Sequence, residues 1–251
     1  MSNNKIMLSI ITVTKNDEAG LRNTLRSISH FSRNKDLKFE VIVIEGGDGF
    51  PEDLNKEYPS LARNLSLIRQ KSSGIYPAMN EGLTYSKGDY VWFLNGGDEA
   101  ATTFDNVYEE IQNSNAEVIL WDYFYQARRK KYLRKSRSES YLWHALPTSH
   151  QAILYTRKGR FNQIFYPGEF SVCGDYAFTS LYKVYGAKFH FVPKPLSIFD
   201  GKGVSLTKGK EIAVEAWLVQ KLILNYPIIV RILSSVRHFF SRIVRRFVEN
   251  E

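Results

Sequence analysis

A single cysteine, Cys173, stands in the whole chain. It can form no internal disulfide, and it excludes a cysteine-rich metal site. A reducing compartment is the matching expectation. Proline and glycine are sparse, eight and sixteen in 251 residues, which excludes collagen-like and low-complexity classes. No run reaches the ~18–20 uncharged apolar residues that a spanning helix requires, so a soluble or peripheral protein is expected. The first apolar stretch is short and runs into Lys15-Asn16-Asp17-Glu18 with no small-residue cleavage site. That is the pattern of a buried strand and not of a signal peptide. Acidic residues are in deficit, 26 against 34 basic, for a net +8. Such a balance suits an anionic partner: nucleic acid, a lipid surface or a phosphorylated substrate.

What is present is ordinary globular material. Hydrophobic residues make up 43% and charged residues 24%, and the length suits one domain or one with an appendage. The positive charge is localised. Arg128–Arg137 carries seven basic residues and no acid, and Ile228–Glu251 carries five arginines against two glutamates. These segments hold +7 and +3, which leaves −2 for the remaining chain.

The first hundred residues alternate strand and helix. Met7–Val13 is a short apolar run rich in β-branched residues, as in a buried parallel strand. Asp17–Phe31 carries Leu21, Leu25 and Ile28 at helical spacing. Strands are expected at Phe39–Ile44, Leu65–Ile68 and Tyr90–Leu94, with a helix at Ala78–Tyr85. This alternation implies a parallel sheet with right-handed crossovers. Past Asp105 the pattern predicts a helix, a strand at Glu117–Trp121 and a hairpin over Asp122–Trp143. A helix at Tyr176–Tyr185, an extended Lys188–Val192, and helices at Glu211–Asn225 and Ile228–Val248 follow.

Ligands of such sheets bind beyond the carboxyl ends of the strands. Three polar clusters fall there: Thr12-Val-Thr-Lys-Asn16, Glu45-Gly-Gly-Asp48 and Asn95-Gly-Gly-Asp98. Glycines let backbone approach a bulky anion, and a carboxylate can hold a divalent cation against phosphate oxygens. Each cluster alone also suits an ordinary turn. Neither a Gly-x-x-x-x-Gly-Lys-Ser/Thr loop nor a Gly-x-Gly-x-x-Gly after the first strand occurs, so P-loop and dinucleotide fingerprints are missing.

Four segments stand in a telling order: Ser9-Ile-Ile-Thr-Val-Thr-Lys-Asn16, Phe39-Glu-Val-Ile-Val-Ile-Glu-Gly-Gly47, Ser73-Gly-Ile-Tyr-Pro-Ala-Met-Asn-Glu-Gly82 and Gly88-Asp-Tyr-Val-Trp-Phe-Leu-Asn-Gly-Gly-Asp98. Over roughly residues 7–207 the chain resembles family 2 glycosyltransferases. Ser149-His-Gln-Ala-Ile153, Cys173-Gly-Asp-Tyr176 and Gly203-Val-Ser205 look like the branch with colanic acid and other polysaccharide glycosyltransferases of the WcaE type. The resemblance implies a GT-A fold, a mostly parallel sheet flanked by helices. Residues 1–100 would form its nucleotide-sugar half and 101–207 its acceptor half. Residues 208–251 are read as a helical, basic, membrane-associating appendage.

The resemblance also implies roles. Thr12, Val13, Thr14 and Asn16 match the loop that touches the nucleoside. Glu45, with Gly46, takes the place of an acid that reads base or ribose. Gly74, Asn80, Asn95, Gly96 and Gly97 join the donor site. Asp98 matches the last carboxylate of an Asp-x-Asp element that binds Mn or Mg and the diphosphate. Asp175 matches the catalytic base, and His150 and Gln151 are placed at the acceptor or diphosphate. Inversion requires this division of labour, since one carboxylate must deprotonate the acceptor while the leaving diphosphate is stabilised elsewhere. The chain departs from the family at Gly96, where the first Asp of the element stands, and at Gly174, where many relatives carry an acid.

The last helix carries Ile232, Val236, Phe239, Phe240, Ile243 and Phe247 at three- and four-residue steps. Arg237, Arg242, Arg245 and Arg246 lie mostly off that stripe. Two readings stand: a basic amphipathic helix in an anionic membrane interface, or a helix whose apolar face packs on the body. The Arg128–Arg137 run is a solvated hairpin tip or a contact for lipid headgroups or an acceptor diphosphate. Nucleic acid ranks last, for want of a recognition motif. The expected protein is an inverting glycosyltransferase on the inner, cytoplasmic face of a bacterial membrane. It moves sugar from a nucleotide-diphosphate donor to a lipid-linked saccharide of exopolysaccharide, capsule or O-antigen. A nucleotidyltransferase that makes activated sugars, or a non-catalytic sugar- or lipid-binding relative, is the alternative.

Overall fold

Two buried apolar strands open the fold. In the computed structural model, residues 6–31, 38–127, 130–200 and 209–248 are described, the side chains of 241–248 excepted. The expected motif Gly203-Val-Ser205, the tip residues Arg128 and Arg129 and the division at 207 lie outside them, as do the side chains of Arg242, Ile243, Arg245, Arg246 and Phe247. Strand β1 (Leu8–Thr14) pairs in parallel with β2 (Phe39–Glu45), from Leu8↔Phe39 to Thr14↔Glu45. Helix α1 (Glu18–Ser29) makes the crossover, and Asp17 caps it by accepting the Gly20 N–H at 2.9 Å. Helix α2 (Leu54–Glu57), strand β3 (Leu65–Arg69), helix α3 (Ile75–Tyr85) and strand β4 (Tyr90–Phe93) follow. A short β5 (Glu99–Ala100) leads to α4 (Phe104–Ser114) and to the hairpin of β6 (Val118–Ala127) and β7 (Lys130–Arg134). Then come β8 (Ile153–Thr156), α5 (Gly174–Val184), β9 (Phe189–Asp200), α6 (Gly209–Leu222) and α7 (Ile228–Val248).

Among the described residues nine strands form one sheet in the order β3-β2-β1-β4-β8-β6-β9-β5, with β7 beside β6. Strands β3, β2, β1 and β4 are parallel, and β8 runs antiparallel to both β4 and β6. Alternate residues feed opposite cores. Leu8, Ile10, Phe39, Val41 and Val43 join Leu21, Leu25 and Ile28 on one face. Ile11, Val13, Ile42 and Ile44 join Met79, Leu83, Phe178 and Tyr182 on the other. Both faces are covered, so the strands read as continuous apolar runs rather than as alternation.

Three departures from expectation have physical causes. Strand β8 was not anticipated, because four residues behind a 3-10 turn at His150–Ala152 carry too few positions to show a period. Strand β9 runs on past Val192 despite Pro193 and Pro195. Its register against β6 shifts there, from Trp121↔Val192 to Asp122↔Pro195, so the prolines fall at a bulge. Helix α6 is not a free appendage. Its Ala216 and Val219 are buried with Leu142, Phe170, Cys173, Tyr176 and Ala177.

Helix α7 lies on the body by its polar side. Ser234, 1% exposed, is the most buried of its described side chains and meets Gln220 Nε2 at 2.8 Å and His144 Nδ1 at 3.0 Å. Arg231 covers the Trp217 ring at 4.7 Å. Phe239 and Phe240 stay 62% and 60% exposed, and Ile228, Ile229, Ile232, Leu233 and Val236 are exposed with them. Over residues 228–240 the apolar face does not pack on the body. Among the described residues no helix is long and apolar enough to cross a membrane.

Candidate active site

The three polar strand-end clusters meet. Gly46 N donates to Thr14 O at 2.9 Å and Gly96 N to Val13 O at 3.0 Å, which staples the loops after β2 and β4 to the end of β1. Asn16 sits in the left-handed region at φ 51°, which asparagine tolerates. Its Oδ1 accepts the Asp48 N–H at 2.8 Å. Buried Glu45 accepts the N–H groups of Asn16 at 3.1 Å and Gly47 at 2.6 Å on one oxygen, Oε1. That oxygen orders the two loops, so a nucleoside contact would fall to the other. Thr12 Oγ1, Thr14 Oγ1 and Asn95 Oδ1 are buried without a protein partner. Thr12 is wholly buried, so the nucleoside contact expected of its side chain is closed to it.

The Asn95–Asp98 turn is held from α1. Thr24 Oγ1 donates to Asp98 O at 2.7 Å and accepts the Gly97 N–H at 3.0 Å. Sequence reasoning missed Thr24; its one signal was a polar residue within the Leu21-Leu25-Ile28 stripe. Gly96 has a structural cause. A Cβ there would stand 2.9 Å from Thr14 Oγ1 and 3.0 Å from Thr14 Cβ, so this backbone has no room for an acid.

Asp98 is 4% exposed, and its Oδ1 accepts the Asp200 N–H at 3.0 Å. Burial pushes its carboxyl up to about 7, against the bonds from Asp200 N–H and the Gln151 side chain and with help from the Asp200 charge. Gln151, expected at the acceptor or diphosphate, is buried beside Asp98. Ser149 Oγ donates to Gln151 Oε1 at 2.5 Å and orients that amide, and Trp92 Nε1 holds Gln151 O at 2.8 Å.

His150 is corrected outright. It is buried, stacks on Phe93 at 5.0 Å and meets Tyr166 Oη through Nε2 at 2.9 Å. Burial pulls its pKa down to about 3, so it is a neutral packing group. Asn80 is corrected too. Its Nδ2 donates to Tyr166 O at 3.0 Å and its Oδ1 accepts the Tyr166 N–H at 2.8 Å, which leaves its amide occupied by backbone. Gly74 caps α3, and its carbonyl accepts Gln70 Nε2 at 2.7 Å.

An aromatic tier links this end of the sheet to α5. Tyr166 stacks on Tyr76 at 5.3 Å, and Tyr76 Oη donates to Val172 O at 2.6 Å. A Cβ on Gly174 would meet the Tyr76 ring at 2.6 Å, which is why no acid precedes Asp175. Asp175 lies partly exposed in the first turn of α5, its Oδ1 accepting the Tyr176 N–H at 2.8 Å. Burial raises its carboxyl to about 6, which the Tyr176 bond opposes. That value suits a group that takes a proton near neutrality.

A divalent cation fits as a sparsely held one. Among the described residues no three His, Cys, Asp or Glu converge as a cage. Asp98 supplies one hard carboxylate, which magnesium-type sites accept when phosphate oxygens and water complete the shell. A cavity of about 360 Å³, lined by Tyr90, Glu117, Thr156, Lys158 and Arg160, holds none of the candidate residues.

Comparison with known proteins accords with this geometry. The profile described as Glycosyl transferase family 2 matches residues 9–179. A PGL/p-HBAD biosynthesis glycosyltransferase of Mycobacterium bovis (strain BCG / Pasteur 1173P2) is 34% identical over 94 residues, 37% of this chain and 36% of its own. The chain spans about a third of the length of the curated relatives it matches. S. aureus TarS 1–349 in complex with UDP-GlcNAc superposes with a TM-score of 0.66 at 17% identity, over 86% of this chain and 67% of its own. The mannosyltransferase PcManGT from Pyrobaculum calidifontis, in complex with GDP-Man and Mn2+, gives 0.65 at 14%, over 88% and 64%. Both structural likenesses are of fold.

Proposed function

This chain belongs to glycosyl transferase family 2 and has the GT-A fold, and on that premise we propose that it moves a sugar from a nucleoside diphosphate donor to a hydroxyl acceptor with inversion. One observation carries the reading. The fold carries a buried carboxyl in a Gly-rich strand-end turn, Asp98, and a second, partly exposed one, Asp175, at a helix start. The acceptor oxygen attacks the anomeric carbon as the bond from that carbon to the diphosphate breaks. Asp175 takes the acceptor proton, and the nucleoside diphosphate leaves. The part-exposed Thr14 and Asn95 and the exposed Asn16 border the nucleoside or ribose, and Asp98 would hold the cation with the diphosphate. When bound, Mg or Mn supplies Lewis-acid stabilisation of the charge that grows on the leaving group.

The acceptor in this reading is a lipid-linked saccharide of bacterial surface polysaccharide synthesis, met at an anionic membrane surface on the cytoplasmic side. Its support is α7, whose apolar side faces outward. The end of the basic run reaches it, since Arg137 and Arg237 approach the Tyr141 ring at 4.1 and 5.4 Å. A helix in this posture buries apolar side chains in the headgroup layer while arginines meet phosphates.

A panel of UDP- and GDP-sugars with Mg or Mn, scored by product mass, tests the class. A folded protein that neither transfers nor hydrolyses any of them would refute it. Release of pyrophosphate from a nucleoside triphosphate would favour a nucleotidyltransferase instead.

A further inference from the structure

Glu215 on α6 stands outside the strand-end site, yet four hydrogen bonds converge on its carboxylate. Oε1 accepts Ser171 N–H at 2.9 Å and Ser171 Oγ–H at 2.7 Å, and Oε2 accepts Val172 N–H at 2.9 Å and Cys173 N–H at 2.8 Å. These three residues are the backbone that leads into α5, with Cys173 its cap and Asp175 in its first turn. The same segment is gripped from the other side, where Tyr76 Oη donates to Val172 O at 2.6 Å and the Tyr76 ring covers Gly174. Cys173 Sγ adds a contact to Ile212 O at 3.6 Å. Burial pushes the Glu215 carboxyl up, but the bonds from Cys173, Ser171 and Val172 outweigh it and hold the group below its usual value.

We infer that Glu215 is a positioning residue, which sets the aim of the Asp175 carboxylate by clamping residues 171–173 from helix α6. The inference rests on the reading of Asp175 as the base. The physical ground is that backbone N–H donors to a carboxylate form short, strong, directional bonds, and a base displaced by about 1 Å loses on the order of 100-fold in rate. The segment has no regular structure of its own to fix it, so the clamp comes from another element. Helix α6 is also the helix against which α7 packs, through Gln220 and Ser234.

The test is Glu215→Gln in the full chain. An amide has one acceptor oxygen, so either rotamer loses one pair of the four bonds while volume is kept. The expected results are faster amide exchange at Ser171, or at Val172 and Cys173, according to the rotamer, kcat lowered at least tenfold, and donor KM within twofold of wild type. Glu211→Gln, exposed on the same helix, should leave all three unchanged. Unaltered exchange would overturn the clamp. Faster exchange with full kcat would overturn the positioning role and leave the transferase reading intact. A wild-type protein without transfer would overturn that reading and the inference together.

Discussion

The Gln151 side chain lies beside the Asp98 carboxyl, and Ser149 sets its orientation by donating to Gln151 Oε1 at 2.5 Å. The amide therefore presents its N–H side to a carboxyl that burial holds near 7. A histidine-glutamine pair beside a transferase site invites assignment to the substrate. The contacts assign the histidine to the core and the glutamine to the carboxylate.

Replacing Gln151 by Leu should weaken donor use. A hydrogen bond to a charged group is worth about 1.5–3 kcal/mol, so kcat/KM for the donor should fall roughly 10- to 100-fold. Thermal denaturation should shift little. Full donor kcat/KM in a folded Gln151→Leu protein would show that the contact has no part in donor binding.

Asp175 sets opposite pH trends for activity and stability. Its folded pKa, about 6, lies above its ordinary value of 3.8. Between those values the folded state binds more proton than the unfolded, so stability declines as pH rises through this window and is level above it. Activity should do the reverse, climbing through pH 6 as the base ionises. Asp175→Asn should lower transfer at least about 100-fold and raise stability above pH 6 by on the order of 1 kcal/mol. Calorimetry and rate profiles over pH 4–8 check both. A variant with undiminished transfer would remove Asp175 as base.

Gly174 and Tyr76 are coupled by contact. A Cβ 2.6 Å from a ring atom forces a shift, and overpacking of this kind costs about 1–3 kcal/mol. Gly174→Ala should lower stability by that amount in wild type and by much less in a Tyr76→Leu background. Denaturant titration of the four-protein cycle reads the coupling. Equal costs in both backgrounds would locate the strain elsewhere.

Membrane attachment, in the reading offered above, depends on exposed side chains of α7. Phe239→Ser with Phe240→Ser removes two large exposed rings, each worth about 1.5–3 kcal/mol when buried. Flotation with anionic liposomes should fall at least tenfold, the folded body staying intact. Added salt should weaken wild-type binding, because it screens the basic hairpin. Equal flotation of variant and wild type would take α7 out of membrane contact.

The strand-helix alternation through Tyr90 was legible because a buried strand and an amphipathic helix write their periods into adjacent residues. So were the three strand-end clusters, since parallel strands bring their carboxyl ends to one edge. Strand β8 and the continuation of β9 were not, because pairing partners far along the chain decide them. The same distinction divides the site. Asp98 and Asp175 were named by the family resemblance, and each stands in the local setting expected of it, a Gly-rich turn and a helix start.

Whether Glu45 faces a ligand or a loop, whether His150 is solvated or buried, and which carboxylate Gln151 serves were settled by contacts between distant segments. Helix α7 shows the limit most plainly. Its amphipathic stripe is a property of 21 residues, but the side that meets the body is not. Ser234 turned inward because His144 and Gln220 offer it hydrogen bonds, and so the apolar side was left facing out. A period states that two faces differ; only the surface beneath the helix chooses between them.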